Sequence, residues 1–160
     1  MNLPVGNIVA EGKLSKETIL KELPKLMDEK FTGYFLISID GCTGIEEGLL
    51  LLKLGKIIGA VFEYLRFSKE LYGDEAAKHF FNACASNKGV FEADELSLHQ
   101  VDLILAFNDE VQLTRELESR DISKLVPDEY SSVFAEKFLG DSLQTKEVSR
   151  YLLLRKIGIV

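Results

Sequence analysis

Two histidines and two cysteines supply all the imidazole and thiol groups of this 160-residue chain, and their spacing limits what they can do. His79 and Cys84 stand five residues apart on a stretch with helical periodicity. That is about 140° around a helix, whereas a chelating pair needs a spacing of about three or four. The apolar stripe of the same stretch, Ala77, Phe80, Phe81 and Cys84, takes in the cysteine and leaves His79 on the polar side. Zinc needs convergent ligands that no other cluster supplies, so no metal and no cofactor is expected. His99 falls in the first turn of a later helix and reads as an exposed side chain. Cys42 lies in a turn beside Asp40, with no histidine or basic residue close in sequence to lower its pKa.

Carboxylates offer a second chemistry. Glu46-Glu47 and the trio Glu92, Asp94 and Glu95 could do acid–base work, but on loops they read as solvated surface. Gly41, Gly44 and Gly48 do not follow a strand and open a helix with Lys-Ser/Thr, so they do not make a phosphate loop. The expectation is a chain that is not an enzyme. An enzyme alternative would rely on Glu46, Glu47 or Cys42.

The elements that must position these residues centre on Phe31–Tyr64. Three apolar runs, 34–39, 48–54 and 57–64, are separated by Asp40-Gly41 and Gly55-Lys56, and glycine accepts the positive φ of tight turns. This reads as an antiparallel meander. Before it come a short strand over 7–11 and a helix capped by Ser15, with Ile19, Leu20, Leu23, Leu26 and Met27 at helical spacing and Pro24 expected to kink or restart it. After it, Asp74 is expected to cap a helix over 75–86, followed by a strand over 90–93. Ser97 with Gln100 forms a capping box opening a longer helix, which either ends at Asn108-Asp109 or resumes through Val111, Leu113 and Leu117. Two further helices are read over 128–139 and 145–156. The fold class is therefore α+β: a mainly antiparallel sheet flanked by amphipathic helices over 1–118, then a small helical appendage over 119–160.

Composition narrows the partners. Apolar residues make up 46% and charged residues 28%, as in ordinary globular chains. The formal net charge of −7 disfavours nucleic acid and anionic membranes as general partners. Residues 120–160 carry seven basic and six acidic side chains, and the other 119 residues carry twelve and twenty. No uncharged apolar run approaches the roughly 20 residues that cross a bilayer. The first residues lack a basic segment leading into an apolar one, and two cysteines do not make a disulfide framework, so the reading is cytoplasmic.

Phe31-Thr32-Gly33-Tyr34, the run ending at Asp40-Gly41, and Gly48 through Gly55-Lys56-Ile57-Ile58-Gly59-Ala60 resemble the PATAN domain of taxis and gliding response regulators. Tyr72-Gly73-Asp74-Glu75-Ala76-Ala77 and Gly89-Val90-Phe91-Glu92 continue the match over roughly residues 1–115. The Gly-Ile-Glu-Glu-Gly stretch at 44–48 and Pro4-Val5-Gly6 look more like an uncharacterised archaeal relative of the N-terminal domain of those regulators. The resemblance implies a non-catalytic adaptor in intracellular signalling that works through protein contacts.

Three candidate surfaces follow. Phe62, Tyr64, Leu65, Phe67, Leu71 and Tyr72 put six large apolar residues on a segment expected to leave the sheet and meet a protein partner. The edge of the meander could pair with a second copy in a homodimer. Arg150, Arg155 and Lys156 on the last helix could contact nucleic acid if the tail formed a helix-turn-helix, although a packing appendage is the favoured reading.

Overall fold

In the computed structural model, which describes residues 2–144 and 146–159, the chain opens with β1 (Asn7–Lys13) and α1 (Lys16–Asp28). The meander follows as β2 (Gly33–Gly41), β3 (Gly44–Lys53) and β4 (Lys56–Tyr64). Next come β5 (Lys69–Tyr72), α2 (Gly73–Ala83), β6 (Gly89–Glu95), α3 (Leu98–Phe107) and β7 (Gln112–Leu117). The C-terminal part holds α4 (Ile122–Leu125), α5 (Val133–Leu139) and α6 (Lys146–Lys156). The strands form one antiparallel sheet in the order β1-β6-β2-β3-β4-β5. β7 and β5 lie one after the other along the outer edge of β4, β5 against Val61–Tyr64 and β7 against Ile57 and Gly59. The α+β architecture with C-terminal helices is the one expected.

Strand alternation divides the side chains between two faces. Phe35, Ile37, Leu50, Phe62 and Tyr64 point to one face, where α1, α2, α4 and α5 cover them with Ile19, Leu23, Phe80, Ile122, Ala135 and Leu139 in one buried cluster. The helical tail thus joins the main core. Tyr34, Leu49, Leu51, Ile58 and Val61 point to the other face, where α3 packs on them through Val101 and Ile104, joined by Leu96 and by Val111 from the turn before β7. Lys53 Nζ reaches Asp102 at 2.6 Å and ties α3 to the Leu51 end of β3. The opposite end of this second face has no helix over it among the described residues.

Several expectations need correction. The segment 62–72 does not leave the sheet. It folds back through a 3-10 turn at Leu65–Phe67 into β5, so Phe62 and Tyr64 sit in the core at 1% and 2% exposure. Phe67 and Leu71 are partly buried against the same core, and of the six residues Leu65 and Tyr72 are the ones substantially exposed. The apolar content reflects strand pairing rather than a free surface. Residues 112–117 form a strand, because the i,i+4 spacing of Leu113 and Leu117 suits either a helix or a strand and pairing with the outer edge of β4 decides it. Of the two outcomes expected at Pro24, a second helix does not start there, since α1 runs through it. α2 begins after Tyr72, and the Asp74 carboxylate instead accepts from the Thr114 N–H at 3.0 Å and its hydroxyl at 2.6 Å, joining α2 to β7. The helix read from 128 begins only at Val133, since the Asn82 side chain takes both the N–H and the carbonyl of Ser131. The helix read from 145 is α6; Thr145 and Val160 lie outside the described residues, as does the side chain of Val148. Ile157 and Ile159 are 60% and 65% exposed.

Candidate functional site

The tight turn at Cys42–Thr43 between β2 and β3 leads directly into a carboxyl held in the interior. Glu46, the third residue of β3, faces the helix-covered side opposite Ile39 and Tyr64. It is 1% exposed. Its carboxyl lies so close over Gly41 that a Cβ there would meet Glu46 Oε1 at 2.1 Å. Tyr130, from the loop between α4 and α5, donates its hydroxyl proton to Glu46 Oε1 at 2.8 Å and accepts the Cys42 N–H at 3.2 Å. The Cys42 sulfur stands 3.4 Å from the same hydroxyl. Burial pushes the Glu46 carboxyl up to about 7, against the lowering effect of the Tyr130 hydrogen bond and of Arg155. The sequence neighbourhood of Glu46 suggests a solvated loop residue. Its place on the inward face of a strand overturns that reading.

A second buried pair adjoins it. Tyr64 Oη lies 2.6 Å from His79 Nδ1, and burial raises the tyrosine and lowers the histidine, so both are neutral. The two share one buried hydrogen bond whose donor is set by the imidazole tautomer. Phe62, Phe134 and Phe138 pack their rings 5.2–5.9 Å from the imidazole. His79 was placed on the polar side of its helix, but α5, arriving from far along the sequence, covers that side. Sequence spacing alone gave no signal of it.

Outside this network a cleft of about 660 Å³ is bordered by Lys16, Asp40, Cys42, Lys88, Tyr130 and Arg155. It brings Cys42 near basic residues that the local sequence lacks. Burial nevertheless raises the thiol above its ordinary value, so the cleft does not provide the lowered pKa of an activated nucleophile. Glu46 can carry a proton near neutrality, but it is sealed from the cleft. The described residues contain no group of three or more His, Cys, Asp or Glu placed to hold a metal ion.

The nucleic-acid residues are not presented together. Arg155 donates to the Asp40 carboxylate and, at 2.8 Å, to the Gly41 carbonyl, while Arg150 and Lys156 are exposed. Arg66 lies 3.5 Å over the Tyr151 ring and fastens α6 further. α6 is thus held against the β2–β3 turn by the guanidinium that nucleic acid would need.

The second sheet face gathers Glu47, Glu92 and Asp94, whereas Glu95 alternates to the side of α1 and is exposed. Glu92, within the strand expected over 90–93, and Asp94, just beyond it, both lie on β6 and point to this face rather than onto a solvated loop. Asp94 is 5% exposed and accepts the Tyr34 hydroxyl proton at 2.8 Å, and its presence pushes Glu92 up through a shared hydrogen bond. Strand register aligns Glu47 opposite Glu63, and Glu63 opposite Glu70. The row nearer α3 runs Glu11, Glu92, Leu36, Leu49, Val61 and Tyr72.

The fold and these two regions define an α+β protein on a single antiparallel sheet, with one fully covered face and one half-open face. Residues 1–108 match a family described as an uncharacterized protein conserved in archaea (DUF2226), and the chain belongs to that family. No curated protein and no solved structure matches it. No helix among the described residues is long and apolar enough to cross a membrane.

Proposed function

We propose that this chain is a non-catalytic protein-interaction module, an adaptor or regulatory subunit acting in the cytoplasm. The observation that carries the reading is the half-open sheet face. Beyond α3 it exposes Val90 at 55% and leaves Leu36 half-buried, with no helix laid over them among the described residues. Such a face on a protein of this size favours a partner. The resemblance to the PATAN domain supports an intracellular signalling context. The raised thiol of Cys42 and the sealing of Glu46 favour a structural role for the polar network over an enzymatic one.

Site-specific photocrosslinking tests the reading. A crosslinker at Val90 should capture a defined partner from cells, and that partner, purified, should bind the wild-type chain and lose affinity for Val90→Asp. The same crosslinker at Leu54, on the β3–β4 turn, is the control. Equal capture from both positions, or none from Val90, would remove the support for this face. A crosslink between two copies would instead identify a homodimer.

A further inference from the structure

We infer that the open half of the second sheet face receives a cationic amphipathic helix of a protein partner, an inference that rests on the interaction-module reading. Shape comes first. α3 already covers one end of this face by laying an apolar stripe across Tyr34, Leu49, Leu51, Ile58 and Val61. β2 has nine residues, a length of about 30 Å, and a helix with its side chains is about 10 Å across. Beyond α3 there is therefore room for one more helix on the same strands.

Charge then selects the occupant. Leu36 and Val90 form an apolar strip in the middle of the open region. On the β1–β6 side it is flanked by Glu11 opposite Glu92, and on the β3–β4–β5 side by Glu47, Glu63 and Glu70 in adjacent register. Lys13, opposite Val90, is the one basic side chain in these two rows. Directly opposed like charges destabilise a sheet, so the free protein carries a cost that cationic side chains would relieve. A helix laid across the strands, apolar in its middle and carrying Lys or Arg toward both ends, matches this pattern of acid, apolar, acid. A second copy placed face to face would set carboxylates against carboxylates, and the same charges repel nucleic acid and anionic lipid.

The test uses the intact chain and two labelled peptides of about 18 residues, long enough to lie across the roughly 24 Å width of six strands. One has leucines along the middle of one face and lysines toward both ends, the other the same leucines with glutamates toward both ends. Fluorescence anisotropy should show binding of the lysine peptide alone, weakened by salt. Glu63→Lys should weaken it about tenfold, the equivalent of about 1.4 kcal/mol, whereas Glu29→Lys, the same change of net charge at the end of α1, should leave it within about twofold. Equal weakening by both substitutions would overturn the inference in favour of bulk charge. So would equal binding of both peptides, or no binding of the lysine peptide; in either case a partner captured at Val90 would leave the interaction-module reading standing.

Discussion

Glu46 contributes to stability in a direction opposite to that of most carboxylates. Its folded pKa is raised from 4.5 to about 7, so the native state holds a proton that the unfolded chain releases. Unfolding stability then falls as pH rises from about 4.5 to 7, by up to about 3 kcal/mol from this group. Glu46→Gln keeps the acceptor for Tyr130 and removes the titration. The variant's stability relative to wild type should increase through this window and level off above it, as read by urea denaturation at several pH values. His79, lowered by burial, works the other way, since protonation of the unfolded chain below 6.5 reduces stability as pH falls. Its contribution is common to both proteins and cancels in the difference. A difference that stays flat with pH would show that Glu46 is ionised in the folded protein. Packing gives a second expectation at this scale. A Cβ on Gly48 would lie 2.7 Å from Phe80 and 3.0 Å from Phe62, two aromatics held in the core. Gly48→Ala should therefore cost about 1–3 kcal/mol in thermal or chemical unfolding, and a neutral result would show that the rings can move aside.

At the scale of elements, the sequence reports what is local. Ser15 does cap α1, and Ser97 with Gln100 does form the capping box of α3, because cap chemistry is complete within four residues. The β3–β4 turn was visible too, although it falls at Leu54-Gly55, both with positive φ as a two-residue hairpin requires. What stayed hidden was decided at long range. β5 and β7 owe their conformation to the edge of β4, and Glu46 and His79 owe their burial to Tyr130 and α5, more than fifty residues further along the chain. The candidate site was legible as residues, Cys42, Glu46 and His79, but not as an arrangement. Paired carboxylates across strands were equally invisible without register. They yield an expectation of their own: Glu63→Gln, which relieves its opposition to both Glu47 and Glu70, should raise stability by about 0.5 kcal/mol at low salt. The gain should shrink as salt is added. Destabilisation at low salt would show that the row is not repulsive.

For the whole molecule, charge distribution and core topology lead to two expectations. The first concerns nucleic acid. With most of the acidic excess on residues 1–119 and Arg155 held by Asp40, the chain should not bind duplex DNA at physiological salt. Salt-sensitive micromolar binding in anisotropy, lost on replacing Arg150, Arg155 and Lys156, would reverse that view. The second concerns where the folding unit ends. The family match stops at residue 108, yet β7 pairs with β4 after it, and Ile122, Val126, Ala135 and Leu139 lie in the main core at 0–4% exposure. Cutting after Leu117 or Glu118 would uncover the face that these four residues close. Removing buried aliphatic side chains costs about 2–5 kcal/mol for each large one, and whole domains are stable by only about 5–15 kcal/mol. A 1–118 fragment should therefore lose cooperative unfolding, and a fragment ending at Gln144 should retain it. Differential scanning calorimetry of the two fragments decides the matter: a sharp transition in the shorter one would make the helical tail an independent addition, and its absence would make the tail part of the fold.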